Sequence, residues 1–283
     1  MVLSHYQTEP LVQARDTAIR HTTSSPDLGL SQVEVAVKDA GAEFPGQELI
    51  GWKEIETIQK SGNSCYYIEG GTAYKIQRFS EETNRYYSLM PTQTAPTLLI
   101  SGTLMHRIKG IDPWQDTREK IAAGGRLSGR VLDTATGLGY TAIQAARKAK
   151  QVTTIELDPM VLEIAELNPW SQELFTRTNI TRILGNSSEE ILQFNDRSFS
   201  AIIHDPPVFT MAGDLYGRAF YEELYRVLQP GGRLFHYIGD PESPSGGTTT
   251  GGVIQRLTAA RFNDIKRRPR AFGVTARKPD RTA

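Results

Sequence analysis

The stretch GRVLDTATGLG, residues 129 to 139, decides how this chain is read: an apolar run ends on Asp133 and gives way to a turn with glycines at 137 and 139. TAIQAARKA (141 to 149) follows with apolar residues spaced as on one helix face, and QVTTIEL (151 to 157) then reads as a second strand. The rhythm repeats. PMVLEIAELN (159 to 168) predicts a helix, ITRILG (180 to 185) and FSAIIHD (199 to 205) predict strands, and RAFYEELYRVLQPGG (218 to 232) predicts a helix stopped by Pro-Gly-Gly before strand RLFHYIG (233 to 239). Strands alternating with helices predict βαβ units, hence an α/β fold with a doubly wound, mainly parallel sheet.

Upstream the pattern is different. VEVAV (33 to 37) alternates in period two, ELIGW (48 to 52) follows a Pro-Gly turn, and WKEIETIQK (52 to 60) reads as a short helix. CYYIEGGTAYKIQRF (65 to 79) places two β-rich runs around Gly70-Gly71, a hairpin signal because glycine supplies the positive φ of tight turns. The extended segment PTLLISGTLMHRI (96 to 108) leads into a helix around DPWQDTREKIAAGG. Three parts are therefore expected: a frayed helix or flexible arm over residues 1–30, a small β-rich domain over 31–124, and the α/β domain over 125–283.

Composition bounds the function. With 283 residues, 39% hydrophobic and 23% charged, the chain is long enough to bury a proper core and has an ordinary globular make-up. Its 32 basic residues balance 32 acidic ones, which argues against coating nucleic acid or anionic lipid through bulk charge. The balance hides an asymmetry: residues 261–281 carry +6 and the rest −6. A strand edge guarded by cations explains this, and so does a patch that guides an anionic acceptor. The single cysteine, Cys65, excludes an intrachain disulfide and any Cys-x-x-Cys pair, so the cytoplasm is the expected compartment. No 18-residue apolar run suggests a membrane span, and the five histidines show no metal-ligand spacing.

The glycine loop carries the chemistry. In open α/β sheets, ligands bind beyond the carboxyl ends of the strands where the strand order switches. Gly137-Leu138-Gly139-Tyr140-Thr141-Ala142 also fits the dinucleotide pattern, but Asp133 four residues earlier would repel a pyrophosphate and favour a ligand bearing ammonium and sulfonium cations. Glu156, at the end of the second strand, is placed to accept hydrogen bonds from ribose hydroxyls. After strand three, Asn186 and Ser187 can meet an adenine edge, or Ser187 and Glu190 can form a capping box.

With these residues in place, positions 126 to 278 resemble the Rossmann-like class I S-adenosylmethionine-dependent methyltransferases. The segment PTLLISGTLMHR is similar to one in a group of uncharacterised prokaryotic members, with spermidine-synthase-like features. The resemblance implies S-adenosylmethionine as cofactor, a seven-stranded sheet closed by an antiparallel hairpin at KRRPRAFGVTARK (266 to 278), and a cofactor site built from Asp133, Ala135, Thr136, Gly137, Gly139, Tyr140, Glu156, Leu157, Asn186 and Ser187. Asn186 stands where the family often has aspartate.

Strand four ends in His204-Asp205-Pro206-Pro207-Val208-Phe209, which resembles the Asp-Pro-Pro-aromatic signature of methyltransferases acting on nitrogen. Proline fixes φ and turns carbonyls toward the crevice mouth, so Asp205 and Pro206 are expected to orient or deprotonate the acceptor, with Phe209 and Tyr216 flanking it. His204 is a candidate base and also a candidate for simple packing, while His106 lies in the segment expected to fold over the cofactor. Asp-Pro-Pro-x-Phe also resembles RNA cytosine-C5 methyltransferases, but their nucleophilic cysteine has no counterpart near this loop. LYGRAFYEELYRVLQPGG (215 to 232) resembles spermidine synthases, making aminopropyl transfer from decarboxylated S-adenosylmethionine the alternative activity; a non-catalytic binder is the third. The acceptor, whether RNA, protein or small molecule, is not legible, no DNA-binding motif appears, and a homodimer stays open. GDPESPSGGTTTGG (239 to 252) reads as a linker or a lid.

Overall fold

Five parallel strands carry the sheet, and the three inner ones are buried on both faces, as strands of a sheet covered on both sides are. The five are β1 (Arg130–Asp133), β2 (Gln151–Glu156), β3 (Ile180–Leu184), β4 (Phe199–His204) and β5 (Leu228–Tyr237), joined by β6 (Asn263–Arg268) and β7 (Gly273–Arg277). This computed structural model describes residues 1–207, 211–243 and 246–280. The sheet order is β3-β2-β1-β4-β5-β7-β6, with β7 antiparallel to both its neighbours. The expected seven-stranded, mainly parallel sheet with its closing hairpin is present.

The order reverses between β1 and β4, whose register pairs Asp133 with Ile203. Their carboxyl ends therefore emerge side by side, and Asp133 and Asp205 become neighbours in space although 72 residues separate them in sequence.

The helices along this part of the chain are α1 (Pro113–Gly124), α2 (Tyr140–Ala146), α3 (Pro159–Leu167), α4 (Gln172–Thr176), α5 (Ser187–Glu190), α6 (Arg218–Val227) and α7 (Gly246–Ala259). On α6 the residues Phe220, Tyr221, Leu224 and Val227 fall on one stripe and pack with Leu132, Phe199, Ile202 and Leu234 of the sheet and Val253 and Leu257 of α7. The Gly/Ser/Thr-rich stretch read as a linker or lid is in part regular structure, since α7 starts at Gly246; Thr250 faces inward, its hydroxyl donating to the Gly246 carbonyl. At the other end of the sheet, β6 is an edge strand with Lys266, Arg267 and Arg268 exposed, so cations stand on an unpaired strand edge. Lys278 is an exception in this basic segment. It is buried and donates at 2.7 Å to the carbonyls of Tyr225 and Leu228, closing the end of α6.

The chain divides into two compact units: Met1–Trp114 with Met160–Gln172, and Gln115–Pro159 with Glu173–Ala283. The division falls within α1, ten residues before the expected boundary, so most of that helix belongs to the α/β unit. The first unit is β-rich. It contains sheets of three, four and four strands, including the hairpin Tyr66–Glu69 and Thr72–Lys75 across Gly70-Gly71, both glycines at positive φ.

Residues 1–30 are built into that unit rather than forming an arm. A helix spans His5–Asp16, opened by a capping box in which the Ser4 hydroxyl accepts from Tyr6 and the Gln7 side chain accepts from Ser4 N–H. Leu3 and Leu11 are fully buried against Val35, Phe44, Ile55 and Ile58. The segment looked breaker-rich in sequence because its two apolar anchors are sparse. Leu11→Ala is expected to cost about 2–5 kcal/mol of stability, measured as a shift of the first unit's unfolding transition in urea.

Candidate active site

Asp133 ends β1 completely withdrawn from solvent. Its Oδ2 accepts from the hydroxyls of Thr141 at 3.0 Å and Thr154 at 3.1 Å, while Oδ1 has no hydrogen-bond partner among the described residues. Burial, reinforced by the nearby negative charge of Asp205, pushes its pKa up to about 8. An orphaned carboxylate oxygen in such a place is a vacant attachment point for a positive or N–H-bearing ligand group.

The glycine loop beside it is held from several sides. Thr134 N–H donates to Ile203 O of β4, and Thr136 N–H donates to Ile155 O of β2. The Thr136 hydroxyl meets that of Thr154 at 2.7 Å. Ala135 is half-buried, and Tyr140 lies under the loop at 1% exposure. Gly137 and Gly139 both take positive φ, +52° and +77°. A Cβ at Gly137 would meet nothing within 4 Å, so the space beside the loop is open there. At Gly139 it would lie 2.6 Å from the Leu174 side chain, so that glycine is needed for closeness as well as conformation.

Glu156 is at the rim, half-buried, its Oε2 accepting from Gly137 N–H at 2.8 Å and its Oε1 from Asp158 N–H at 3.1 Å. Burial pushes its pKa up to about 7. Each carboxylate oxygen has two acceptor positions and uses one on these amides, so capacity for hydroxyl donors remains. Leu157 beside it is 45% exposed, an apolar flank in an otherwise polar rim.

After β3 the helix cap is Asn186, not Ser187 with Glu190 as the capping-box alternative had it. Asn186 Oδ1 accepts from Ser188 N–H at 3.0 Å. The Ser187 hydroxyl donates instead to Thr134 O at 2.6 Å, so it braces the glycine loop.

At the end of β4, Asp205 is 15% exposed and its Oδ2 accepts from Lys120 Nζ at 2.8 Å. Lys120, on α1, is 1% exposed; it also lies 3.2 Å from Asp116 Oδ2 and 4.2 Å from the centre of the Tyr237 ring. The sequence reading missed this lysine. Asp116 and Lys120 stand four apart on a helix, a spacing that ordinarily marks a solvated surface pair, and only their burial separates the two cases.

Two expectations at this end are corrected. His204 is fully buried and not available as a base: Nε2–H donates to Leu215 O at 2.9 Å, and Nδ1 therefore accepts from the Thr134 hydroxyl at 2.7 Å. Desolvation lowers its pKa to about 3, so it stays neutral. Tyr216, expected beside the acceptor, is 2% exposed and donates its hydroxyl to Pro207 O at 3.1 Å, which fixes the Pro-Pro turn from below. Pro206 is buried in that turn, and Phe209 lies outside the described residues. His106 belongs to the first unit, where Nδ1 meets the Thr97 hydroxyl at 3.0 Å.

The chain has counterparts among known proteins. A family model described as "Methyltransferase domain" matches residues 131–232. An uncharacterised protein of Methanocaldococcus jannaschii is 44% identical over 240 residues, covering 84% of this chain and 81% of that protein. Release factor glutamine methyltransferase of Bordetella pertussis is 27% identical, covering 64% of this chain and 57% of that protein. This chain belongs to the family of the archaeal protein and is an S-adenosylmethionine-dependent methyltransferase. Putrescine N-methyltransferase 1 of Nicotiana tabacum is similar to the methyltransferase at 25% identity, covering 66% of this chain and 52% of that one. In fold, the methyltransferase is similar to a spermidine synthase solved with the transition-state analogue AdoDATO, at TM-score 0.59 and 16% identity over 72% of each chain.

Two outcomes follow from the site's construction. Asp133 binds its proton more tightly in the folded protein than at its ordinary 3.8, so its contribution to stability is full below that pH and is lost as pH rises toward about 8. In the methyltransferase without ligand, Asp133→Asn should flatten this part of the thermal midpoint against pH. Gly139→Ala should cost more than about 1 kcal/mol from its positive φ alone, read in the same melts.

Proposed function

We propose that this enzyme methylates a nitrogen acceptor held at Asp205-Pro206-Pro207, using S-adenosylmethionine bound over the glycine loop. The observation that carries the reading is the pair of carboxylates at the switch point, one with an unpartnered buried oxygen and the other locked to a buried lysine. Methyl transfer is an in-line displacement in which the protein supplies proximity, orientation and a place for the acceptor's proton.

The residues present fit the cofactor. When bound, it supplies a methyl group activated on a sulfonium. Asp133 would face the cationic amino acid end, its Oδ1 gaining the partner it lacks, and the opposite charge would pull its pKa down. Glu156 would take the ribose hydroxyls on its remaining acceptor positions, with Leu157 and Asn186 flanking the base. Gly137 leaves the backbone open to close approach, and Ser187 holds the loop through Thr134 O.

Asp205 would then orient the acceptor N–H and receive its proton. Neutral His204 holds the strand end through Thr134 and Leu215, and Tyr216 holds the turn through Pro207. A nitrogen acceptor also fits the names of the two methyltransferase relatives, one for glutamine and the other for putrescine N-methylation.

The test is incubation with methyl-labelled S-adenosylmethionine and fractionated cell extract. Label in an N-methyl product supports the reading; consumption of decarboxylated S-adenosylmethionine with no methyl label in any fraction overturns it in favour of aminopropyl transfer. Asp205→Asn should lower transfer by about 10²–10⁴-fold while calorimetric S-adenosylmethionine binding is retained. Asp133→Asn should do the reverse, weakening cofactor binding and removing its increase with pH through about 8.

A further inference from the structure

Lys120 has no counterpart in the residues that hold a nucleoside or a methionine group, yet it is among the largest fully buried side chains of the protein. A buried ammonium is costly and persists only with close partners. Its partners are Asp116 on its own helix at 3.2 Å, Asp205 after β4 at 2.8 Å, and the face of Tyr237 at the end of β5 at 4.2 Å. A helix that only needed to pack on the sheet would place leucine here. We propose that Lys120 is the positioning residue of the acceptor site, fixing the Asp205 carboxylate as an ionised group that can accept hydrogen bonds and cannot donate them. The inference rests on the reading of Asp205 as the group that meets the acceptor.

The chemistry behind it is asymmetric. A protonated Asp205 would present an O–H and would compete for the acceptor's lone pair, the same lone pair that must attack the methyl group. An ionised Asp205 takes the N–H and leaves the lone pair outward. Lys120 enforces the second state, and a carboxylate so held selects acceptors that still carry an N–H. The buried carboxylates outnumber the buried ammonium, because Asp116, Asp133 and Asp205 share this end of the sheet with Lys120. Without the lysine, repulsion and burial both drive Asp205 to its neutral form. Among the described residues, the groups that face this cluster include Asp116 and Lys120 from α1, Asp133 from β1, Tyr216 from the segment before α6, and Tyr237 from the end of β5.

The experiment follows the Asp205 carboxyl directly, by ¹³C NMR of protein labelled at aspartate, with the resonance assigned by Asp205→Asn. Lys120→Met should move the pH at which Asp205 takes up a proton upward by about one to three units, the effect of losing an opposite charge at this distance. Asp116→Asn, which leaves the Lys120–Asp205 contact in place, should not move it upward. Both substitutions lower the thermal midpoint, so a merely structural lysine predicts equal effects on melting and no difference in the titration. Should Lys120→Met fail to fold, the double variant Asp116→Asn/Lys120→Met also removes the buried negative charge beside the lysine, and the same upward movement is expected. An Asp205 titration unchanged in the lysine variant, or in the double variant, overturns the proposal. Failure of the acceptor reading itself is separately visible, as methyl transfer that survives Asp205→Asn.

Discussion

Two carboxylates removed from water at the ends of adjoining parallel strands are the constraint around which the α/β unit is organised. Neither Asp133 nor Asp205 can stay ionised there without help. The two solutions differ. Asp133 receives neutral hydroxyls from Thr141 and Thr154, and its pKa rises to about 8; Asp205 receives a full positive charge from Lys120. One strand end thus carries a titratable carboxyl among hydroxyls and the other a carboxyl paired with a buried ammonium.

The neighbouring groups are settled in consequence. His204 sits between these carboxylates in the sequence of the loops, and a charged imidazole would compete with Lys120 for Asp205. Burial and its two hydrogen bonds keep it neutral. Tyr221 meets His236 Nε2 at 2.7 Å behind it, so a layer of rings without charge underlies the carboxyl groups.

Much of this was legible in the sequence. The period of the apolar runs, the glycine spacing after Asp133 and the acid at the end of the second strand are local signals, and each marks the element the structure contains. What sequence could not reveal were relations set by burial. Asp116 and Lys120 look like any helical ion pair until α1 is seen to bury them. Ser187 looks like a cap until its hydroxyl is seen on Thr134 O. His204 and Tyr216 have the chemistry of a base and an aromatic clamp, and packing removes both options by occupying their polar atoms. Residues 1–30 misled in the opposite sense, because two leucines in a polar stretch are enough to anchor a helix once a β-rich core is present to receive them.

The first unit is assembled from two separated lengths of chain, with the indole N–H of Trp170 donating to Leu28 O and Arg78 paired with Glu163. Its last piece is thus synthesised only after β1, the glycine loop and β2 have emerged. On the ribosome the β-rich part waits, incomplete, for the 45 residues from 115 to 159 that belong elsewhere, and non-local closure of this kind is slow. The two units cannot mature one after the other in order of synthesis: the opening of the α/β sheet must be made before its predecessor is finished, which ties the birth of the glycine loop to completion of the N-terminal core.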